Sequence, residues 1–120
     1  MSICIYHGNC ADGFGAAWVF RKAFGEGDVT YHPGVYQDPP PDVDGKSVTL
    51  LDFSYKRTVM EEILRKADSV TILDHHKTAI EDLAGLPLAG RLDVSRSGCM
   101  LAWEAFFPND PPPPLLLHIV

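Results

Sequence analysis

Short apolar, β-prone runs alternate along this chain with stretches whose apolar residues recur at helical spacing, punctuated by glycine, proline and aspartate. Ser2 to Tyr6 (SICIY) predicts a strand that ends at His7. Asp12 to Phe24 (DGFGAAWVFRKAF) predicts a helix stopped by Gly25. Its apolar residues cover most of the helix surface, so burial on most sides is expected. Asp28 to Tyr31 predicts a second, short strand. Pro33 to Gly45 holds Pro39-Pro40-Pro41 and three aspartates and predicts a loop. Ser47 to Leu51 (SVTLL) predicts a strand followed at once by Asp52. Ser54 is placed to cap a helix from Lys56 to Ala67, with Val59, Ile63 and Ala67 as its apolar stripe. Ser69 to Leu73 (SVTIL) predicts a strand followed at once by Asp74. A shorter helix around Ala79 to Ala84, an edge strand at Arg91 to Val94 and an apolar helix at Ser97 to Phe107 follow. Pro108 ends that last helix.

Strands that alternate with helices, each strand a short apolar run, predict an α/β fold. The expected architecture is a doubly wound, mainly parallel sheet with helices on both faces. With 120 residues the chain is one domain, large enough to bury a core. The first turn (HGNCADGFG) lacks the GxGxxG spacing of a dinucleotide fold, and no GK[ST] of a P-loop occurs.

Composition narrows the function classes. Hydrophobic residues make up 46% and charged residues 22%, ordinary values for a globular chain. Ten Lys+Arg against sixteen Asp+Glu give a formal charge of -6, which argues against a protein that coats duplex DNA. A phosphate substrate stays open, because bound metal ions supply positive charge. No apolar run approaches the ~18 residues of a membrane span, and no basic leader of a signal peptide precedes the first strand. Cys4, Cys10 and Cys99 cannot all pair and form no CxxC, so reduced thiols in a cytoplasmic protein are expected.

Three strands end in acidic or imidazole groups. The first delivers His7 and, five residues on, Asp12; the next delivers Asp52; the third delivers Asp74-His75-His76. In an open parallel sheet the carboxyl ends of the strands line one crevice, so these residues should converge there. Carboxylates packed together repel, and a divalent cation relieves the conflict. Carboxylate and imidazole ligands suit Mn²⁺, with Mg²⁺, Fe²⁺, Co²⁺ or Zn²⁺ as alternatives. Four or five such ligands exceed the needs of one catalytic ion, so a pair about 3.5–4 Å apart is expected. Such a pair points to hydrolysis of phosphoesters or phosphoanhydrides. Plainer roles compete. A strand-end aspartate is usually a cap or turn former, and a single histidine such as His7 is usually structural. Three adjacent polar groups directly after an apolar strand are harder to explain without a ligand. Cys10 reads as a packing residue, since zinc thiolate sites normally use more than one cysteine. His32 and His118 have no patterned partners, and Trp18, Trp103, Phe106 and Phe107 sit at core spacing rather than as a base-stacking platform.

With ILDHHKT, the upstream LLDFSY and the N-terminal IYHGNCADGFGAAW in register, the chain resembles the DHH phosphoesterases. That family includes RecJ-type exonucleases, oligoribonucleases, cyclic-dinucleotide phosphodiesterases and family II inorganic pyrophosphatases. The resemblance spans essentially the whole chain, with SGCMLAWEAFF matching the helix that follows in the family. It implies His7 and Asp12 as metal ligands, Asp52 as the carboxylate bridging both ions, and His75 as a ligand of the second. It implies His76 at the scissile phosphate or as general acid, with Asp74 orienting the histidines. Asn9 and Gly13 would shape the phosphate-facing loop. Two departures stand out. The family usually has two aspartates two apart in its first motif, where this chain has Cys10 and Asp12, so one metal position is expected to be weaker or filled through water. The family also supplies a later aspartate and a second, smaller domain, so the chain is expected to be a truncated N-terminal catalytic domain.

The implied function is a manganese-dependent phosphoesterase domain acting on a phosphate-containing small molecule or a short single-stranded oligonucleotide. The alternative is a metal- or nucleotide-binding domain without turnover. A regulatory or flavodoxin-like domain fits less well, because it needs no paired histidines. At the C-terminus, Pro111 to Pro114 are expected to run extended. The following LLLHIV is expected to fold back or, preferentially, to drive homo-oligomer formation.

Overall fold

Five strands, β1 (Ser2–His7), β2 (Val29–Gly34), β3 (Ser47–Leu51), β4 (Ser69–Asp74) and β5 (Ala89–Leu92), form one sheet in the order β2-β1-β3-β4-β5. Every pairing is parallel. The structure is a computed structural model that describes residues 1–119. Helices α1 (Ala11–Phe24), α2 (Arg57–Lys66), α3 (Lys77–Asp82), α4 (Gly98–Phe106) and α5 (Pro114–Leu117) connect or follow the strands. The chain is a doubly wound α/β fold, as the alternation of elements predicted.

Side-chain alternation along each strand divides the core in two. Ile3, Ile5, Val48, Leu50, Val70 and Ile72 point to one face, where Met60 and Ile63 of α2 and Ala79 of α3 cover them. Cys4, Leu51 and Leu73 join the other face with Val19 and Phe20 of α1 and Leu101 and Ala102 of α4. Both faces are therefore closed, which is why the strands read as continuous apolar runs. Among the described residues no helix is long and apolar enough to cross a membrane.

Several local expectations are corrected. β2 continues through Pro33 and Gly34, which had read as the start of a loop. As an edge strand it pairs only with β1, where a proline costs little. Ser54 does not cap α2. The Arg57 backbone N–H instead donates to Asp82 Oδ2 at 2.8 Å, so a carboxylate from the end of α3 caps the helix. α1 is not covered on all sides, since Phe14 (69%), Trp18 (42%) and Phe24 (56%) are exposed. Trp18 is thus not a core residue. Pro114 is not extended but opens α5, after an extended Pro113 (φ -59, ψ 142). Leu116 is buried and Ile119 packs against the α1–α4 face, so this segment folds back on its own domain. Leu115 and Leu117 stay exposed, and Val120 lies outside the described residues.

Candidate metal centre

The order β2-β1-β3 places a topological switch between β1 and β3: from β1 one connection runs outward through α1, while the chain returns to β3 on its other side. Adjacent loops diverge there and leave a crevice at the carboxyl ends of the strands. His7 ends β1 and Asp52 follows β3 at that crevice, with Asp74 ending β4 beside them. The convergence expected from three strand-end motifs is what the topology produces.

Asp52 is the centre of the arrangement. It is 1% exposed, its φ is 58°, and its backbone N–H donates to the Leu73 carbonyl at 2.8 Å. A left-handed conformation is sparsely populated for a residue with a side chain, and aspartate tolerates it better than most. Here it turns the carboxylate back over the strand ends. Oδ1 lies 2.8 Å from His75 Nε2, and Oδ2 lies 3.5 Å from His7 Nδ1 and 3.6 Å from Cys10 Sγ. Burial, then the Asp12 carboxylate, push the Asp52 carboxyl up to about 6 against the opposing pull of His75 and His76. Partial burial of the half-exposed Tyr36, then the Asp74 and Asp52 carboxylates, raises its hydroxyl to about 12.

Asp74, fully buried, organises the two histidines. Its Oδ1 accepts from the backbone N–H of His75 (2.8 Å) and of His76 (3.3 Å), and it lies 2.6 Å from His76 Nδ1. A carboxylate can only accept, so the proton in that contact sits on Nδ1 and leaves Nε2 of His76 for another partner. Three buried atoms have no hydrogen-bond partner among the described residues: His7 Nδ1, Asp52 Oδ1 and Asp74 Oδ2. The 2.8 Å approach of His75 Nε2 to Asp52 Oδ1 therefore lacks hydrogen-bond alignment, although it is within ion-pair distance. Orphaned acceptors are costly at this depth, and a cation between them removes the cost.

Two sets of donor atoms are close enough to share an ion: Asp52, Asp74, His75 and His76 in one, and His7, Cys10 and Asp52 in the other. Asp52 belongs to both. The site could thus bind metal, with this carboxylate between two positions. Cys10, which the sequence presented as packing, stands in the second set. No periodic or paired-cysteine signal marks it; its one clue is a place two residues before Asp12.

Asp12 has a different principal duty. Its Oδ2 accepts from the Gly98 N–H and its Oδ1 from the Cys99 N–H, each at 2.8 Å. A carboxylate on α1 therefore satisfies orphan amides at the start of α4, where negative charge is favoured. Oδ2 also approaches His75 Nε2 at 3.2 Å, so Asp12 borders the first set of donors without joining either. Ser97 caps the same helix, accepting from the Met100 N–H at 3.3 Å. Two glycines permit the close packing. A Cβ on Gly98 would fall 2.5 Å from Asp52 Cβ, and one on Gly13 would fall 2.1 Å from the His7 carbonyl oxygen. Gly98 escaped the sequence reading, because its need arises only once α4 meets β3. Asn9 is exposed, with φ 55°, in the turn between β1 and α1. It borders the second set of donors, but no described contact ties it to them.

Two clefts open on the centre. One, of about 840 Å³, is lined by Tyr36, Ser54, Tyr55, Lys56 and His76. The other, of about 850 Å³, runs from His7, Asn9 and Cys10 to the exposed Phe14, Trp18 and Leu115.

No family model and no solved structure matches the chain. A similar protein is the Uncharacterized protein R106 of Acanthamoeba polyphaga mimivirus, 33% identical over 135 aligned positions. The alignment takes in 99% of this chain and 32% of that protein, so the chain spans about a third of the relative's length.

Proposed function

We propose that this chain is a metal-dependent phosphoesterase domain of the DHH type, with manganese as its metal. The observation that carries the reading is Asp52, a buried carboxylate shared by two donor sets at the strand-end crevice, with an oxygen left unpartnered. Four of the chain's own groups fit divalent ions there, His7, Asp52, Asp74 and His75, with His76 beside them. Bound ions would supply Lewis acidity toward a phosphoryl oxygen and a water acidified for attack.

The protein's part in that chemistry follows from the geometry. Asp74 holds the His76 ring through Nδ1, which presents Nε2 to a substrate entering from the Tyr36–Lys56 cleft. From there His76 contacts the phosphate; only its imidazolium form, with a second proton on Nε2, would pass a proton to the departing oxygen. Lys56 brings the positive charge that an overall acidic surface lacks. Clefts of this size suit a phosphate-containing small molecule or the end of a short single-stranded oligonucleotide. Free Cys4, Cys10 and Cys99 fit a reducing compartment, and we assign the cytoplasm. Exposed Leu115 and Leu117 suit a second copy as a further partner, a point that light scattering decides.

The test is manganese content by elemental analysis after dialysis, together with turnover of a synthetic phosphodiester. Manganese should be retained by the purified chain and lost in Asp52→Ala; turnover should be weak at most and disappear with the metal. Unchanged manganese content in that variant would overturn the reading.

A further inference from the structure

We propose that the two metal positions differ in kind: the His7–Cys10–Asp52 position is a thiolate site for a thiophilic divalent ion such as Zn²⁺, and the Asp52–Asp74–His75 position takes the harder ion. The inference rests on the metal-centre reading above and deepens it.

The distances carry it. Cys10 Sγ stands 3.6 Å from Asp52 Oδ2, and His7 Nδ1 stands 3.5 Å from the same oxygen. A tetrahedral zinc ion, with bonds of about 2.3 Å to sulfur and about 2.0–2.1 Å to nitrogen and oxygen, spaces its ligands about 3.6 Å (S to O) and about 3.4 Å (N to O) apart. The two edges to Asp52 Oδ2 agree with those values, and the third pair, a His7 nitrogen and Cys10 Sγ, lies within 4.8 Å. On the other side, His75 Nε2 stands 2.8 Å from Asp52 Oδ1. An octahedral ion with bonds of about 2.0–2.1 Å spaces adjacent ligands about 2.9 Å apart. One carboxylate thus offers Oδ2 to a tetrahedral edge and Oδ1 to an octahedral one.

Other observations point the same way. His7 Nδ1 is buried and has no hydrogen-bond partner among the described residues, and Asp52, 1% exposed, keeps Oδ1 unpartnered at the junction of the two positions. Cys10 occupies the N-cap of α1 but makes no capping hydrogen bond; its thiol faces Asp52 instead. Thiolate ligands select ions such as zinc over manganese and magnesium, which prefer oxygen. Binding would take the cysteine as thiolate and release its proton to solvent. The remaining tetrahedral corner is left for water or a substrate oxygen.

Cobalt(II) is the probe, because it replaces zinc in tetrahedral sites and reports thiolate bonding by charge-transfer absorption in the near ultraviolet. The purified chain should show that absorption on adding Co²⁺. Cys10→Ser should lose it, and Cys10→Asp should lose it while gaining manganese. Given one equivalent of zinc and an excess of manganese, the native chain should hold zinc at the thiolate position and manganese at the other. Zinc affinity in Cys10→Ser should fall at least ~10-fold, the lower bound for disturbing a metal ligand's surroundings. His7→Gln is the second variant: it keeps the thiol and should still weaken zinc. Cobalt bound without charge transfer, or charge transfer that survives Cys10→Ser, overturns the mixed centre while leaving the metal reading intact. Failure to bind any ion overturns both.

Discussion

Asp52 combines a left-handed backbone, almost complete burial and two carboxylate neighbours, and each of these has a measurable consequence. Its carboxyl titrates at about 6 in the metal-free fold, raised from 3.8 chiefly by burial. Between those values the native chain holds more protons than the unfolded one, so the free energy of unfolding falls as pH rises. Chelator-treated protein should therefore lose stability from about pH 4 to about pH 6, and Asp52→Asn should flatten that part of the profile. Urea titrations at several pH values check it; a metal-free native chain that gains stability across this window would refute the assignment. Asp74 acts through His76. Asp74→Ala removes the oxygen that accepts from His76 Nδ1 and so releases the Nδ1–H tautomer. We expect a loss of about 10–100-fold in manganese affinity or turnover. Nitrogen NMR of the imidazole should show the altered tautomer. The Asp74-His75-His76 run was legible because polar groups directly after an apolar strand demand a use. Cys10 was not: a single thiol has no period, and its partner lies 42 residues away.

Elements show where reading by pattern succeeds and fails. The apolar cores of β3 and β4 were legible to within one residue, because strands buried on both faces leave little room for another interpretation. β2 ran past its expected end because edge position, invisible in sequence, excuses Pro33 from the ladder. The cap of α2 was missed for the same kind of reason, since its acceptor is Asp82, 25 residues on. The α1–α4 contact is the sharpest case. Asp12 caps α4 from another helix, and Gly98 is required because a side chain would meet Asp52 at 2.5 Å. Helix propensity alone would make Gly98→Ala stabilising by up to ~1 kcal/mol. Overpacking a tight contact costs about 1–3 kcal/mol, so packing wins and the variant should be destabilised. It should also bind manganese more weakly, because Asp52 is what must move. A lower urea midpoint with an unchanged slope would confirm the first effect, and dialysis with elemental analysis the second.

At the scale of the molecule, the parallel sheet gathers Asp12, Asp52 and Asp74 at one end of a chain whose formal charge is already -6. Folding brings these buried carboxylates together, and the unfolded chain holds them apart. Divalent cation should therefore bind the native state far better than the unfolded one, which couples occupancy to global stability. At an ion concentration a hundredfold above its dissociation constant, the stabilisation is about 2.7 kcal/mol. For a domain of this size, with an unfolding entropy near 2.1 cal/mol/K per residue, that amounts to a rise of roughly 10 °C in Tm. Calorimetry with graded manganese should show Tm climbing with concentration and returning to its starting point on adding chelator. Asp52→Ala, which removes one of the three crowded carboxylates and the shared ligand, should unfold at a temperature that manganese no longer moves. A native chain whose Tm ignores manganese would mean that the carboxylates at this crevice are held by the protein alone.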